Sequence, residues 1–163
     1  MTELSRPFAL DRVGAGSASV TVEANEAERG AVAGRLLIPS VGALRAIFRL
    51  RRIGASLIEA EGELRAIVEQ VCVLTLDPFS QDVREAFTVH FVPSGTEDED
   101  PEPDSVDQIP YEGNAIDLGE AAVEQLALAL DPYPRKPGAE LPAAAQDGSA
   151  NPFATLAARR ATE

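Results

Sequence analysis

From residue 56 to residue 76 apolar and polar side chains alternate. Ile58, Ala60, Gly62, Leu64, Ala66, Val68, Cys72, Leu74 and Leu76 take even positions, and Glu59, Glu61, Glu63, Arg65 and Glu69 take odd ones. A period of two puts the first set on one face of a strand and the second on the other, so one face is buried and one is wet. Residues 43–53 share this period, and Gly54 with its small neighbours Ala55 and Ser56 supplies a turn between the two runs. The pair predicts an antiparallel hairpin. A turn at Asp77-Pro78-Phe79-Ser80 leads into a third strand over residues 83–92, with Phe87, Val89 and Phe91 on one face and Thr88 and His90 on the other. Upstream, residues 4–13 predict a first strand. Residues 17–23, where Val20 and Val22 alternate with polar neighbours, predict a second.

Two stretches change to the helical period. Asn25 followed three residues later by Glu28 has the form of a capping box, and Ala27, Ala31, Leu36 and Leu37 continue a helix over 26–37 that Pro39 must end. Asp117 and Glu120 repeat the capping signal. Leu118, Ala122, Leu126 and Ala129, with Val123 and Leu130 beside them, then recur at steps of three and four until Asp131-Pro132 stops the helix. The sum is an α+β fold: an antiparallel β-sheet, open or curled barrel-like, with two main helices packed on one side of it.

Composition sets the scale of that fold. With 163 residues, 45% of them hydrophobic and no tryptophan, the chain suits one domain with a largely aliphatic core. That domain is expected over residues 1–138. Charge is uneven: residues 1–93 hold 10 Lys+Arg against 12 Asp+Glu, and residues 94–163 hold 4 against 15, which together give the net −13. Residues 97–104, EDEDPEPD, contain no apolar side chain, so an acidic disordered loop is expected at about 94–108. It reads as a solvated linker or as a lure for a basic partner. Residues 139–163 are expected to form a flexible linker and then a short helix capped at Asn151-Pro152, with Phe153 and Leu156 on its apolar edge. No run reaches the ~18 to 20 apolar residues that cross a bilayer, and the start lacks a basic segment before an apolar one. The expectation is a cytoplasmic protein without a membrane partner. One cysteine, Cys72, excludes an internal disulfide.

The chemical inventory is short. There is no G-x-x-x-x-G-K-[ST] and no G-x-G-x-x-G, and the single histidine, His90, has no serine nucleophile and carboxylate orienter near it in sequence. It reads as a surface histidine on a strand, with Asp82 or Glu85 as remote catalytic partners. Arg45, Arg49, Arg51 and Arg52 lie in a stretch free of acids from residue 41 to residue 57, and on a strand the first three share a face. Arginine suits phosphate because its planar fork donates two parallel hydrogen bonds. These arginines either pair across the hairpin with Glu59, Glu61 and Glu63 or present a cationic face to RNA.

Three blocks carry a resemblance: residues 71–79 (VCVLTLDPF), 116–138 (IDLGEAAVEQLALALDPYPRKPG) and 151–157 (NPFATLA). In this order they resemble the YceD-like family, whose bacterial members are named large ribosomal RNA subunit accumulation proteins. The resemblance implies a non-enzymatic role in 23S ribosomal RNA accumulation, with ribosomal RNA or a large-subunit ribosomal protein as partner and neither cofactor nor DNA. The family often has Cys-x-x-Cys where this chain has Cys72 and Thr75. A hydroxyl is a poor zinc ligand, so a four-ligand N/S zinc site is not expected, and Cys72 reads as a small buried hydrophobe. The candidate contacts to RNA or partner are Arg45, Arg49, Arg51, Arg52, Arg135, Lys136, Phe153 and Leu156. The alternative is an acidic protein–protein adaptor that does not touch RNA.

Overall fold

The computed structural model describes residues 3–14, 16–97 and 105–140. The sequence's period-two runs become the long strands β3 (Ser40–Ile53), β4 (Leu57–Val71) and β5 (Pro78–Pro93). With β2 (Ser17–Glu23) and β6 (Asp107–Tyr111) they form a five-stranded sheet in the order β2-β3-β4-β5-β6. All pairs are antiparallel except β5 with β6. The order does not close on itself, so the sheet is open and the barrel alternative is not realised. A separate antiparallel pair joins β1 (Pro7–Ala9) to β7 (Ala115–Asp117). Helices α1 (Glu26–Leu36) and α2 (Leu118–Ala129) complete the α+β fold among the described residues.

Even-numbered side chains of β3 and β4 face inward, among them the fully buried Phe48, Leu50, Ile58 and Leu64, and they pack with Leu118, Val123 and Leu126 of α2 in one core. Gly62 is required there. A Cβ at Gly62 would stand 2.1 Å from Cζ of Phe87, whose ring lies over the glycine and meets Phe48 edge-on at a centroid distance of 5.6 Å. At Gly119 a Cβ would stand 2.6 Å from the Leu4 carbonyl oxygen, so α2 approaches the N-terminal segment as closely as backbone allows.

Several expected boundaries move. Residues 4–13 are not one strand: β1 has three residues, and Leu10–Arg12 form a 3-10 turn whose Leu10 N–H donates to Asn114 O at 3.0 Å. Leu4, Phe8, Leu10 and Val13 are all buried, a spacing that no single strand could satisfy. β4 ends at Val71 instead of reaching residue 76. The turn falls at 72–77, with Cys72 N–H on Asp77 O and Leu76 N–H on Cys72 O, each at 2.9 Å, so Pro78 opens β5 instead of sitting in a turn. Proline at a strand's first residue forfeits no internal ladder bond.

Both helix starts keep their side-chain caps, but only α1 has the reciprocal box, with Glu28 N–H on Asn25 Oδ1 and Asn25 N–H on Glu28 Oε2. Asp117 accepts from Gly119 and Glu120 N–H at 2.9 and 3.2 Å, whereas the Glu120 carboxylate turns to Arg35 at 2.6 Å. Half of the second box is therefore absent. β6 begins at Asp107 and so shortens the loop expected at about 94–108. Its acidic residues 98–104, and residues 141–163 with Phe153 and Leu156, lie outside the described residues.

Candidate nucleic-acid interface

The helices cover the inner face of the sheet, and the odd-numbered side chains of β3 and β4 form the outer face. Strand register sorts that face into rows. In one row Arg45 opposes Arg65, Arg65 opposes Arg84, and Glu23 stands beyond Arg45 on β2. Directly opposed side chains in an antiparallel pair have Cβ atoms about 4.5–5.5 Å apart, and like charges in such positions repel. Arg84 is compensated by Asp82 at 2.7 Å, which holds the Asp82 carboxyl below its ordinary value. No described carboxylate lies within 4.0 Å of the guanidinium of Arg45 or Arg65.

The neighbouring rows are mixed. Arg51 opposes Glu59 and bonds it through Nε at 3.1 Å and through Nη2, and this partner lowers the Glu59 carboxyl's pKa. Glu59 also lies 3.5 Å from Nε2 of His90, so the histidine's neighbour is Glu59, not Asp82 or Glu85. Arg49 faces Glu61 at a loose 3.9 Å, and Glu63 opposes Ile47. Between these rows lies an open depression of about 400 Å³ bordered by Ser19, Ile47, Arg49, Glu61, Glu63 and Thr88.

The remaining candidates sit elsewhere. Arg52 donates to Leu10 O at 2.6 Å and to Ala55 O at 3.1 Å, which clamps the 3-10 turn to the hairpin. Arg135 and Lys136 are exposed beside the β4–β5 turn, where Val73 N–H bonds Pro134 O at 2.9 Å and Lys136 lies 3.8 Å from Asp77. Sequence reasoning missed Arg65 and Arg84. The first was accessible: a turn centred on residue 55 sets residue 45 opposite residue 65. The second depended on the 72–77 turn.

At the same turn the Cys72 thiol is fully buried. The Thr75 hydroxyl, joined by the backbone N–H groups of Lys136, Thr75 and Leu74, outweighs the effect of burial and draws its pKa down to about 7. The sulfur thus sits in a nest of donors that favours the thiolate. Among the described residues no three His, Cys, Asp or Glu side chains gather where they could hold a metal ion. No described helix is long and apolar enough to cross a membrane.

The family model described as large ribosomal RNA subunit accumulation protein YceD matches residues 60–157. That span takes in most of β4 with Arg65, all of β5 with Arg84, the 72–77 turn and α2, while Arg45 lies outside it. No curated protein and no solved structure matches the chain. Since the match covers more than half of the sequence, the chain belongs to the YceD family of large ribosomal RNA subunit accumulation proteins.

Proposed function

We propose that this chain is a non-enzymatic, cytoplasmic factor of large-subunit biogenesis that supports 23S ribosomal RNA accumulation by holding RNA phosphates on the outer face of its sheet. The observation that supports this reading is the row Arg45, Arg65 and Arg84. Stacked like charges weaken a sheet, and a phosphate seated over them removes that penalty while accepting paired hydrogen bonds from each fork. A net charge of −13 repels nucleic acid at long range, so binding through this row is local and selective instead of general. Arg49 and Arg51, each beside its own glutamate, border the contact.

The test is binding to a 23S ribosomal RNA transcript across a salt series. Three phosphate contacts give a log–log slope of about −2 for a single strand, and Arg45→Gln with Arg65→Gln should reduce it to about −0.7. Affinity should fall by roughly tenfold or more, because charged hydrogen bonds contribute about 1.5–3 kcal/mol each. Unchanged affinity and slope would remove the arginine row from the account.

A second reading, the acidic adaptor, is favoured by the 15 acids against 4 bases in residues 94–163. In it the acidic residues of this half engage a basic large-subunit protein, with Arg135, Lys136, Phe153 and Leu156 as further candidate contacts, and RNA is not touched. Phe153→Ala with Leu156→Ala would then abolish recovery of ribosomal proteins, while the Arg45 and Arg65 substitutions would leave it intact.

A further inference from the structure

β5 leaves one edge open. Its β6 partner reaches only residues 89–93, so over residues 78–88 the outer edge of β5 has no partner strand among the described residues. An edge of this length presents a row of N–H and C=O groups ready to pair with another chain. Two of the common safeguards are absent, because within residues 78–88 the only proline stands at the first position and the ladder with β4 runs from Ile58↔Phe91 to Val71↔Pro78 without a bulge; the charges of Asp82, Arg84 and Glu85 are the protection that remains, and they select the partner.

We infer that this edge pairs antiparallel with the same edge of a second copy, centred on Val83, to give a two-fold dimer with a continuous sheet. A two-fold axis perpendicular to the sheet keeps inner faces with inner faces, so the pairing must centre on one residue. Centring on Asp82, Arg84 or Glu85 sets that charge against its own copy, which is destabilising. Centring on Val83 sets Asp82 opposite Arg84 twice and Gln81 opposite Glu85 twice. It also sets Phe79 opposite Phe87, both half-buried in the single chain. The charges of this edge are thus self-complementary about its midpoint. Arg84 and Asp82, which now pair within one chain at 2.7 Å, exchange partners across the interface. The dimer also brings two Arg45–Arg65 pairs onto one outer face, although the pairing itself does not depend on RNA binding.

Charge reversal tests the register. Light scattering on the intact chain should give twice the 17.2 kDa chain mass for the wild type at high concentration. Asp82→Arg alone and Arg84→Asp alone should each give the single-chain mass, because each opposes like charges at 82 and 84. An equimolar mixture of the two variants, and the double variant Asp82→Arg/Arg84→Asp, should return to twice the chain mass. Recovery in the mixture also shows that both single variants are folded. A wild type that stays at the single-chain mass at its highest soluble concentration overturns the inference. So do single variants that remain dimeric, or a mixture that fails to reassociate.

Discussion

Asp117 shows how much a single carboxylate can organise. Burial pushes its pKa up, but the Ser5 hydroxyl and the backbone N–H groups of Arg6, Glu120 and Gly119 outweigh that and hold it below the ordinary carboxylate value. Those four donors tie the N-terminal segment, β7 and the first turn of α2 to one side chain, at 2.6 Å for Ser5 and 2.8 Å for Arg6. Asp117→Ala should cost about 1–3 kcal/mol in urea unfolding at pH 7, because it removes a cap and strands partly buried donors. A carboxyl whose folded pKa is depressed contributes its full stability above the unfolded value and loses it as pH falls through the folded value. The gap between wild type and variant should therefore be widest near neutrality and close below the ordinary carboxylate range. A gap that stays constant in acid would show that packing, not the ionised cap, carries the effect.

Cys72 is the other residue whose surroundings make a definite statement. Its thiol is held by the Thr75 hydroxyl and by the backbone N–H groups of Lys136, Thr75 and Leu74, and the chain has no second cysteine to share a metal with it. The purified protein should contain no stoichiometric zinc, and chelator should leave its thermal midpoint unchanged. Elemental analysis giving about one zinc per chain, as in a structural site, would overturn this.

At the scale of elements, the turn at Gly54 determines what the hairpin can do. It sets Arg51 on Glu59 and Arg49 near Glu61, so two of the three outward arginines of β3 are locally compensated. The third is placed on Arg65. Arg45→Gln with Arg65→Gln should leave the thermal midpoint nearly unchanged, since the repulsion between the opposed arginines is removed together with the attraction of Arg65 to Asp82 and of Arg45 to the Glu23 opposite it. A clear drop would mean that the row serves the fold and not a ligand.

This hairpin was also the most legible part of the sequence, because alternation and a glycine turn are local signals. The α1 capping box was legible for the same reason. The 72–77 turn was not: Leu76 adopts a positive φ of 61° that leucine rarely takes, and Pro78 gave a turn signal while beginning a strand. The β1–β7 pair and the parallel β5–β6 pair join residues far apart in sequence, and nothing local marks either. Arg84 joined the candidate row only once the 72–77 turn had set the β4–β5 register.

At the scale of the whole molecule, helices occupy one side of the sheet and leave the other to solvent. An open sheet with one wet face is a broad platform without a deep cavity, and under the proposed function a net charge of −13 would restrict RNA to the one row where cations outnumber acids. The YceD family match spans the strands that carry Arg65 and Arg84 together with α2, which supports the sheet from behind. Under the proposed function this face sustains 23S ribosomal RNA in the cell. The most direct measurement is the ratio of 23S to 16S ribosomal RNA in a strain lacking the gene, complemented with wild type or with Arg45→Gln/Arg65→Gln at equal protein levels. The expected result is a lowered ratio on deletion, recovery with wild type, and no recovery with the variant. A normal ratio in the deletion strain, including in the cold, or full recovery with the variant would contradict it.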